Sequence, residues 1–164
     1  MQDSNQGLSV MFDEAKNQLA RQFKGSAVIR DHAKTIIGVS SVVVSFFATF
    51  KIFDNTTVQS DSYLILLFSI IALIYGILMI LAIRAASPIS LEAPINPTLD
   101  NYIEAYADKD ERTILSTQIN LYLRAIEKNN KIIKDQIRLS KLVDYLLGLV
   151  IILIITSTII YVSS

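Results

Sequence analysis

Three stretches of the chain are almost purely apolar, and polar positions separate them. They run from Thr35 to Phe53, from Tyr63 to Ile83 and over residues 142–162. About 20 consecutive apolar residues cross the hydrocarbon core of a bilayer, where the backbone must satisfy its own hydrogen bonds and therefore becomes helical. The pattern predicts an all-α integral membrane protein with three transmembrane helices.

Apolar positions at three- and four-residue steps continue before the third span. Pro88, Pro94 and Pro97 follow the second span, and we expect them to end its helix. No proline follows Pro97, so we expect one helix from about Asp110 to about Tyr161, in which a long cytoplasmic stalk helix is continuous with the third span. The apolar row of the stalk is Leu115, Ile119, Leu123, Ile126, Ile133 and Ile137. Asn130 fills a gap in this row, either as a residue that fixes coiled-coil register or as a solvated or capping position.

The N-terminal segment is also amphipathic. Its apolar side carries Leu8, Phe12, Ala15, Leu19 and Phe23. We expect an amphipathic N-terminal helix that packs on the stalk, in preference to a helix lying flat on lipid, because its polar side mixes both signs of charge. The chain then divides into an N-terminal helix (1–34), a transmembrane hairpin (35–83), a connector with the stalk (84–141) and the third span with a short outer tail (142–164).

Small residues recur along one face of each span. The stripes contain Gly38, Ser41 and Ser45, then Ser69, Ala72 and Gly76, and finally Gly148 with the cluster at 156–158. Such stripes let helices approach closely. The alternative is that their hydroxyl groups line a pore formed by several subunits.

Lysine and arginine are distributed unevenly about the spans. Five lie in residues 1–34, nine lie in residues 84–141, one lies between the first two spans and none follows the third. The positive-inside rule therefore places the N-terminus and residues 84–141 in the cytoplasm and the C-terminus outside. We expect a multi-pass protein of the cell inner membrane.

Composition narrows the chemistry. Fifteen basic and fifteen acidic side chains cancel, so we expect no direct binding of DNA or RNA. The absence of cysteine excludes disulfides and thiolate zinc sites, and a single histidine, His32, makes a metal site within one chain improbable. No phosphate-binding glycine loop, metalloprotease motif or serine-hydrolase motif occurs. We expect no enzyme activity, metal or cofactor.

A candidate ligand pocket lies between the prolines and the stalk. Residues 99–107 have the pattern of a short helix with Tyr102 and Tyr106 on one face, near Arg112 and Arg124. Aromatic rings can stack a base and guanidinium groups can bind phosphate, so these four residues are a candidate nucleotide site. The alternative is that they are ordinary core and rim residues.

One ionisable residue lies just inside the third span. Asp144 falls at the same cytoplasmic boundary as His32, Lys34, Arg84 and Lys141. Carboxylates in such positions usually have a partner or a function. A pair of Asp144 with Arg84 or Lys34 would pin the three spans together; alternatively, ligand binding would break that pair and open a gate.

Two segments carry a resemblance to a known family. RDHAKTIIGVSSVV at 30–43 and QINLYLRAIEKNNKIIKDQIRLSKLVDYLLGLV at 118–150 resemble the entry into the first span and the stalk of the Pycsar transmembrane effector family, SLATT-like bacterial antiphage membrane proteins. The resemblance implies that a partner cyclase makes a cyclic nucleotide during infection, and that a homo-oligomeric effector then impairs the inner membrane. It implies abortive infection as the outcome.

An alternative function belongs to a different class. A three-span chain without catalytic residues also fits a non-catalytic accessory subunit of a multi-subunit membrane complex. In that case the small-residue stripes would pack against larger subunits.

Overall fold

The computed structural model describes residues 2–49, 62–94 and 107–163. Its regular structure within these ranges is entirely helical: α1 (Gln2–Thr49), α2 (Ser62–Ala86) and α3 (Glu111–Ser163). Two segments are long and apolar enough to cross a membrane, Leu66–Ala86 in α2 and Glu111–Ile160 in α3. By length and composition, they indicate a membrane protein. The end of the first predicted span, after Thr49, lies outside the described residues.

The helix α1 has no break at the predicted border between residues 34 and 35. The N-terminal segment and the start of the first predicted span are one continuous helix. Its buried residues are Ala15, Leu19, Ser26, Ala33, Ile36 and Ser40. Steps of three, four and seven residues keep these positions on one face, as in a coiled coil. Phe23, predicted on that face, is 41% exposed.

The helix α2 ends where the prolines were expected to end it. Its last residue is Ala86, and Pro88 follows two residues later. The last carbonyl groups of a helix have no partner within the helix. At this end Ser87 Oγ donates to the Ile83 carbonyl at 2.8 Å, and Gln136 Nε2 donates a long hydrogen bond of 3.5 Å to the Ala85 carbonyl. Residues 88–94 then carry no helix.

The helix α3 confirms the predicted uninterrupted helix from about Asp110 to about Tyr161. Its most deeply buried positions recur every seven residues, at Asn129, Gln136, Val143, Val150 and Ser157. A seven-residue repeat keeps one face toward neighbouring helices along a gentle supercoil. Leu123 and Ile137 of the predicted apolar row are 46% and 39% exposed. The predicted row therefore departs from the buried face at these two positions.

The chain forms two compact units, and α1 and α3 contribute to both. Unit 1 comprises Met1–Ala27 and Ile89–Asp135, and unit 2 comprises Val28–Pro88 and Gln136–Ser164. The core of unit 1 contains Ala15, Leu19, Ala125 and Ile126, with Tyr122 packed against it. The ring of Tyr122 meets Phe12 edge to face, with centroids 5.4 Å apart.

The core of unit 2 is built from all three helices. Ile36, Ala82 and Val143 form a buried cluster, and Ile37, Leu81 and Leu147 pack against it. The glycines of the predicted small-residue stripes take no part in close packing. A Cβ atom added at Gly38, Gly76 or Gly148 would meet no atom of the described residues within 4 Å, apart from its own helix backbone and chain neighbours. The prediction of tight packing at these glycines is therefore wrong within the described part of one chain, whereas the small residues Ala33, Ser40 and Ala82 are buried.

Candidate functional site

A polar cluster in unit 1 joins the segment after α2 to α3. The side-chain amide of Asn129 is fully buried. It accepts a hydrogen bond from the Glu92 amide nitrogen at 2.8 Å and donates one to the Glu92 carbonyl at 2.9 Å. Lys128 Nζ lies 2.9 Å from the Glu92 carboxylate. Glu92 is therefore held through both its backbone and its side chain, and we call these three residues the Glu92 clamp.

A second polar contact in unit 1 joins α1 to α3. Gln22 Nε2 donates to Asn130 Oδ1 at 2.8 Å and to the Ile126 carbonyl at 3.1 Å. The Oε1 atom of Gln22 is buried and has no hydrogen-bond partner among the described residues. A buried acceptor without a hydrogen-bond partner costs free energy, so the hydrogen bonding of unit 1 is incomplete at this contact.

Of the two neighbouring asparagines, the sequence singled out Asn130, whereas the structure buries Asn129. Asn130 is exposed and receives Gln22, so it is neither buried in the apolar row nor merely solvated. Asn129, which sequence reasoning did not single out, is the buried one. Its burial depends on the backbone of Glu92, 37 residues earlier. Helical periodicity carries no signal for such a partner.

In unit 2, Asp144 lies against His32. The distance between His32 Nε2 and Asp144 Oδ1 is 2.9 Å, and both side chains are about half exposed, at 50% and 47%. The contact is a hydrogen bond, and it becomes an ion pair only when the imidazole is protonated. It joins α1 to α3 at the boundary where the sequence places Asp144.

The expected partners of Asp144 were Lys34 and Arg84, and the structure corrects that choice. Lys34 lies about 160° around α1 from His32, and its ammonium group pairs with Asp31 at 3.1 Å. Arg84 is exposed and has no ion pair within the described ranges. Asp144 follows Val143, which packs on α1 and α2; a turn of about 100° per residue directs the carboxylate away from that packed face. The gating role of Asp144 stays a prediction.

The predicted nucleotide pocket falls only partly on described residues. Tyr102 and Tyr106 lie outside them. Arg112 and Arg124 are both exposed on α3. Twelve residues separate them, which corresponds to about 18 Å along the helix and about 120° around it. A small ligand that contacts both arginines therefore needs long side-chain reach or a second chain.

The start of α3 carries a carboxyl group whose pKa is lowered. Asp110 precedes the helix, and its Oδ1 accepts a hydrogen bond from the Thr113 hydroxyl. This hydrogen bond is the main cause that lowers the pKa of Asp110 from its ordinary value of 3.8, with smaller lowering contributions from the Thr113 backbone and the Arg112 charge. Asp110 is thus an N-cap residue of α3.

Comparison of the chain with known protein families, curated proteins and solved structures finds no match.

Proposed function

We propose that this protein is a membrane effector of a nucleotide-signalled antiphage defence system. A cyclic nucleotide from a partner cyclase activates it, and it then impairs inner-membrane integrity to cause abortive infection. Support comes from the resemblance of residues 30–43 and 118–150 to such effectors, and from the two candidate membrane-spanning segments.

One observation carries the mechanism: α3 is uninterrupted from Glu111 to Ser163. The first half of this helix carries Lys128 and Asn129 of the Glu92 clamp in unit 1, and its second half contains a candidate span. No loop intervenes, so a displacement of the first half of α3 is transmitted along its hydrogen-bonded backbone to the apolar half. In this proposal, unit 1 receives the ligand and unit 2 acts on the membrane.

The proposed topology keeps three transmembrane helices. The N-terminus and residues 84–141 are cytoplasmic, the C-terminus is outside, and the protein has no enzyme activity, metal or cofactor. The excess of lysine and arginine in residues 1–34 and 84–141 supports this orientation. The nucleotide is bound through Tyr102, Tyr106, Arg112 and Arg124.

The effector is proposed to work as a homo-oligomer. Only 17% of the residues in the apolar stretch of each candidate span are buried within the chain. The faces that carry Gly38 and Gly148 are open to partners, as the lack of neighbours around both glycines indicates. In lipid, small residues on open faces favour contacts between helices of separate chains.

Dye release from liposomes tests this function. Purified full-length protein is reconstituted, and cyclic mononucleotides and oligonucleotides are added one at a time. We expect leakage with one nucleotide only, and we expect Arg112→Gln with Arg124→Gln to raise the concentration required. Arg21→Gln is the matched control, because Arg21 is an exposed arginine of α1 outside the proposed pocket. If folded, inserted protein leaves the vesicles tight with every nucleotide, the effector proposal is overturned.

The open helix faces also favour a second candidate, a non-catalytic accessory subunit of a larger membrane complex. Such a subunit would use the same faces against different polypeptides. Purification from the native membrane in mild detergent separates the two functions. Stoichiometric recovery of other membrane proteins supports the accessory subunit, whereas recovery of this chain alone as an oligomer supports the effector.

A further inference from the structure

The buried cluster of unit 2 defines a common level on its three helices. Ile36, Ala82 and Val143 contact one another there. Ser40 Oγ, one turn further along α1, contacts Met79 Sδ at 3.6 Å, three residues earlier on α2. The helices α1 and α2 are therefore antiparallel in unit 2.

One cation from each helix lies beside this level. Gln136 reaches the carbonyl of Ala85, so α3 is antiparallel to α2 as well. Lys34, Arg84 and Lys141 are each two residues from the cluster, about 3 Å along their helices, and all on the same side of it. We call these three side chains the basic collar.

The collar has more positive charge than its surroundings neutralise. The described part of unit 2 contains two carboxylates, and both are engaged: Asp31 by Lys34 and Asp144 by His32. The other two cations of the collar are exposed and have no ion pair among the described residues.

Exposed apolar side chains surround the collar. Ile83 is 56% exposed, and Tyr145, one turn beyond Lys141, is 76% exposed. Tyrosine is enriched where a bilayer meets water. Tyr63, 60% exposed, lies 21 residues before Arg84, or about 31 Å along α2, which matches the thickness of a hydrocarbon core.

We propose that the basic collar binds the phosphate groups of anionic phospholipids in the cytoplasmic leaflet. The inference rests on the membrane placement in the proposed function, and it adds a lipid partner that the placement alone does not require. Complementary charge and the apolar surface beside the collar both fit a phosphate headgroup with its acyl chains on the helices.

Native mass spectrometry of the full-length protein in neutral detergent tests the collar. Phosphatidylglycerol and phosphatidylcholine are titrated separately, without nucleotide. We expect phosphatidylglycerol to bind preferentially. Each collar cation contributes about fivefold, so Arg84→Gln with Lys141→Gln weakens binding about twenty-five-fold. Lys131→Gln with Lys134→Gln, which removes two exposed cations of α3 outside unit 2, is the matched control. Equal losses in both double variants would overturn the collar.

Three further measurements distinguish the possible explanations of the result. If the double variant fails to fold, the single variants are measured, each with an expected loss of about fivefold; no loss overturns the proposal. If inorganic phosphate competes as well as phosphatidylglycerol does, the site is a phosphate site and the lipid assignment is overturned. Flotation with phosphatidylcholine vesicles separates the two levels. Protein that does not float refutes the membrane placement, whereas protein that floats but shows no preference for phosphatidylglycerol in the titrations refutes the collar alone.

Discussion

In unit 1 the amide side chains of Asn129 and Gln22 bond to another element. In unit 2 the amide of Gln136 does so through a long hydrogen bond, whereas the buried hydroxyl groups of Ser40 and Ser157 donate within their own helix. Asn129 reaches Glu92 and Gln22 reaches α3. In contrast, Ser40 Oγ donates to the Ile37 carbonyl, and Ser157 Oγ to the Leu153 carbonyl. A hydroxyl group that is satisfied within its own helix needs neither solvent nor a partner, which fits the proposed placement of unit 2 in lipid.

The outer surfaces differ in the same direction. The large exposed apolar residues of unit 1 are Val10, Met11, Phe23 and Leu123 among the described side chains, whereas those of unit 2 cover all three helices. Water tolerates scattered apolar side chains, but a continuous apolar surface requires lipid or protein. The second half of α3 thus presents an apolar surface that requires lipid or protein, whereas the first half does not.

The largest expected effect compares leucine truncations in the two units. Leu19 of unit 1 and Leu78 of unit 2 are 5% and 0% exposed. In water, Leu19→Ala should cost about 3 kcal/mol. In lipid, Leu78→Ala should cost only about 1 kcal/mol, because acyl chains solvate leucine as well as the protein interior does. Local opening free energies from hydrogen exchange in nanodiscs measure both values.

Exposed-site truncations are the controls for that comparison. Val10→Ala and Ile80→Ala alter side chains that are 64% and 67% exposed, and neither should change stability measurably. Equal costs for Leu19→Ala and Leu78→Ala would show that the two units face the same solvent. The assignment of unit 2 to lipid would then fail.

The next effect concerns the Glu92 clamp. Asn129→Leu keeps the number and branching of the side-chain heavy atoms but leaves the amide and carbonyl of Glu92 without their partner, so we expect a loss of about 2 kcal/mol. Hydrogen exchange at the Glu92 amide should accelerate with it. Asn130→Leu is the neighbouring control and should leave that amide protected. An unchanged Glu92 amide in Asn129→Leu would show that the clamp does not hold the segment.

A smaller effect is expected at the contact of His32 with Asp144. Asp144→Asn retains a hydrogen-bonding group but removes the charge, and the half-exposed side chains limit the loss to about 0.5 kcal/mol. The loss should be greatest where the imidazole is protonated. Thermal unfolding and nucleotide-triggered leakage are measured together. Unchanged assembly with unchanged leakage would remove both the pinning and the gating role of Asp144.

The smallest effect is local to the first turn of α3 and depends on pH. The folded-state pKa of Asp110 lies below 3.8, so its contribution is present above about pH 4 and is lost as the pH falls through the folded-state value. Asp110→Ala should expose the amides of residues 111–114 to exchange at neutral pH. Asp110→Asn should cap the helix without pH dependence. Protection of these amides that does not vary with acidification in the parent protein would contradict the capping role.

The parts of the fold that the sequence predicts follow from local physics. Proline-free sequence predicts the length of α3, and the proline at position 88 predicts the end of α2. The buried face of α3 is predicted less well, because Asn129 and Gln136 are buried through partners distant in the chain. The choice of His32 as the neighbour of Asp144 depends on how α1 and α3 are rotated, and periodicity does not specify that rotation.

The contacts between α1 and α3 join residues that are far apart in the chain. Gln22 and Asn130 are 108 positions apart, and His32 and Asp144 are 112 positions apart. A ribosome adds about 5 to 20 residues per second, so about 5 to 20 s pass between the synthesis of α1 and that of its partner. Ser40 and Met79 are only 39 positions apart and can meet earlier. During biosynthesis the apolar side of α1 is therefore available to chaperones or the insertion machinery until α3 emerges.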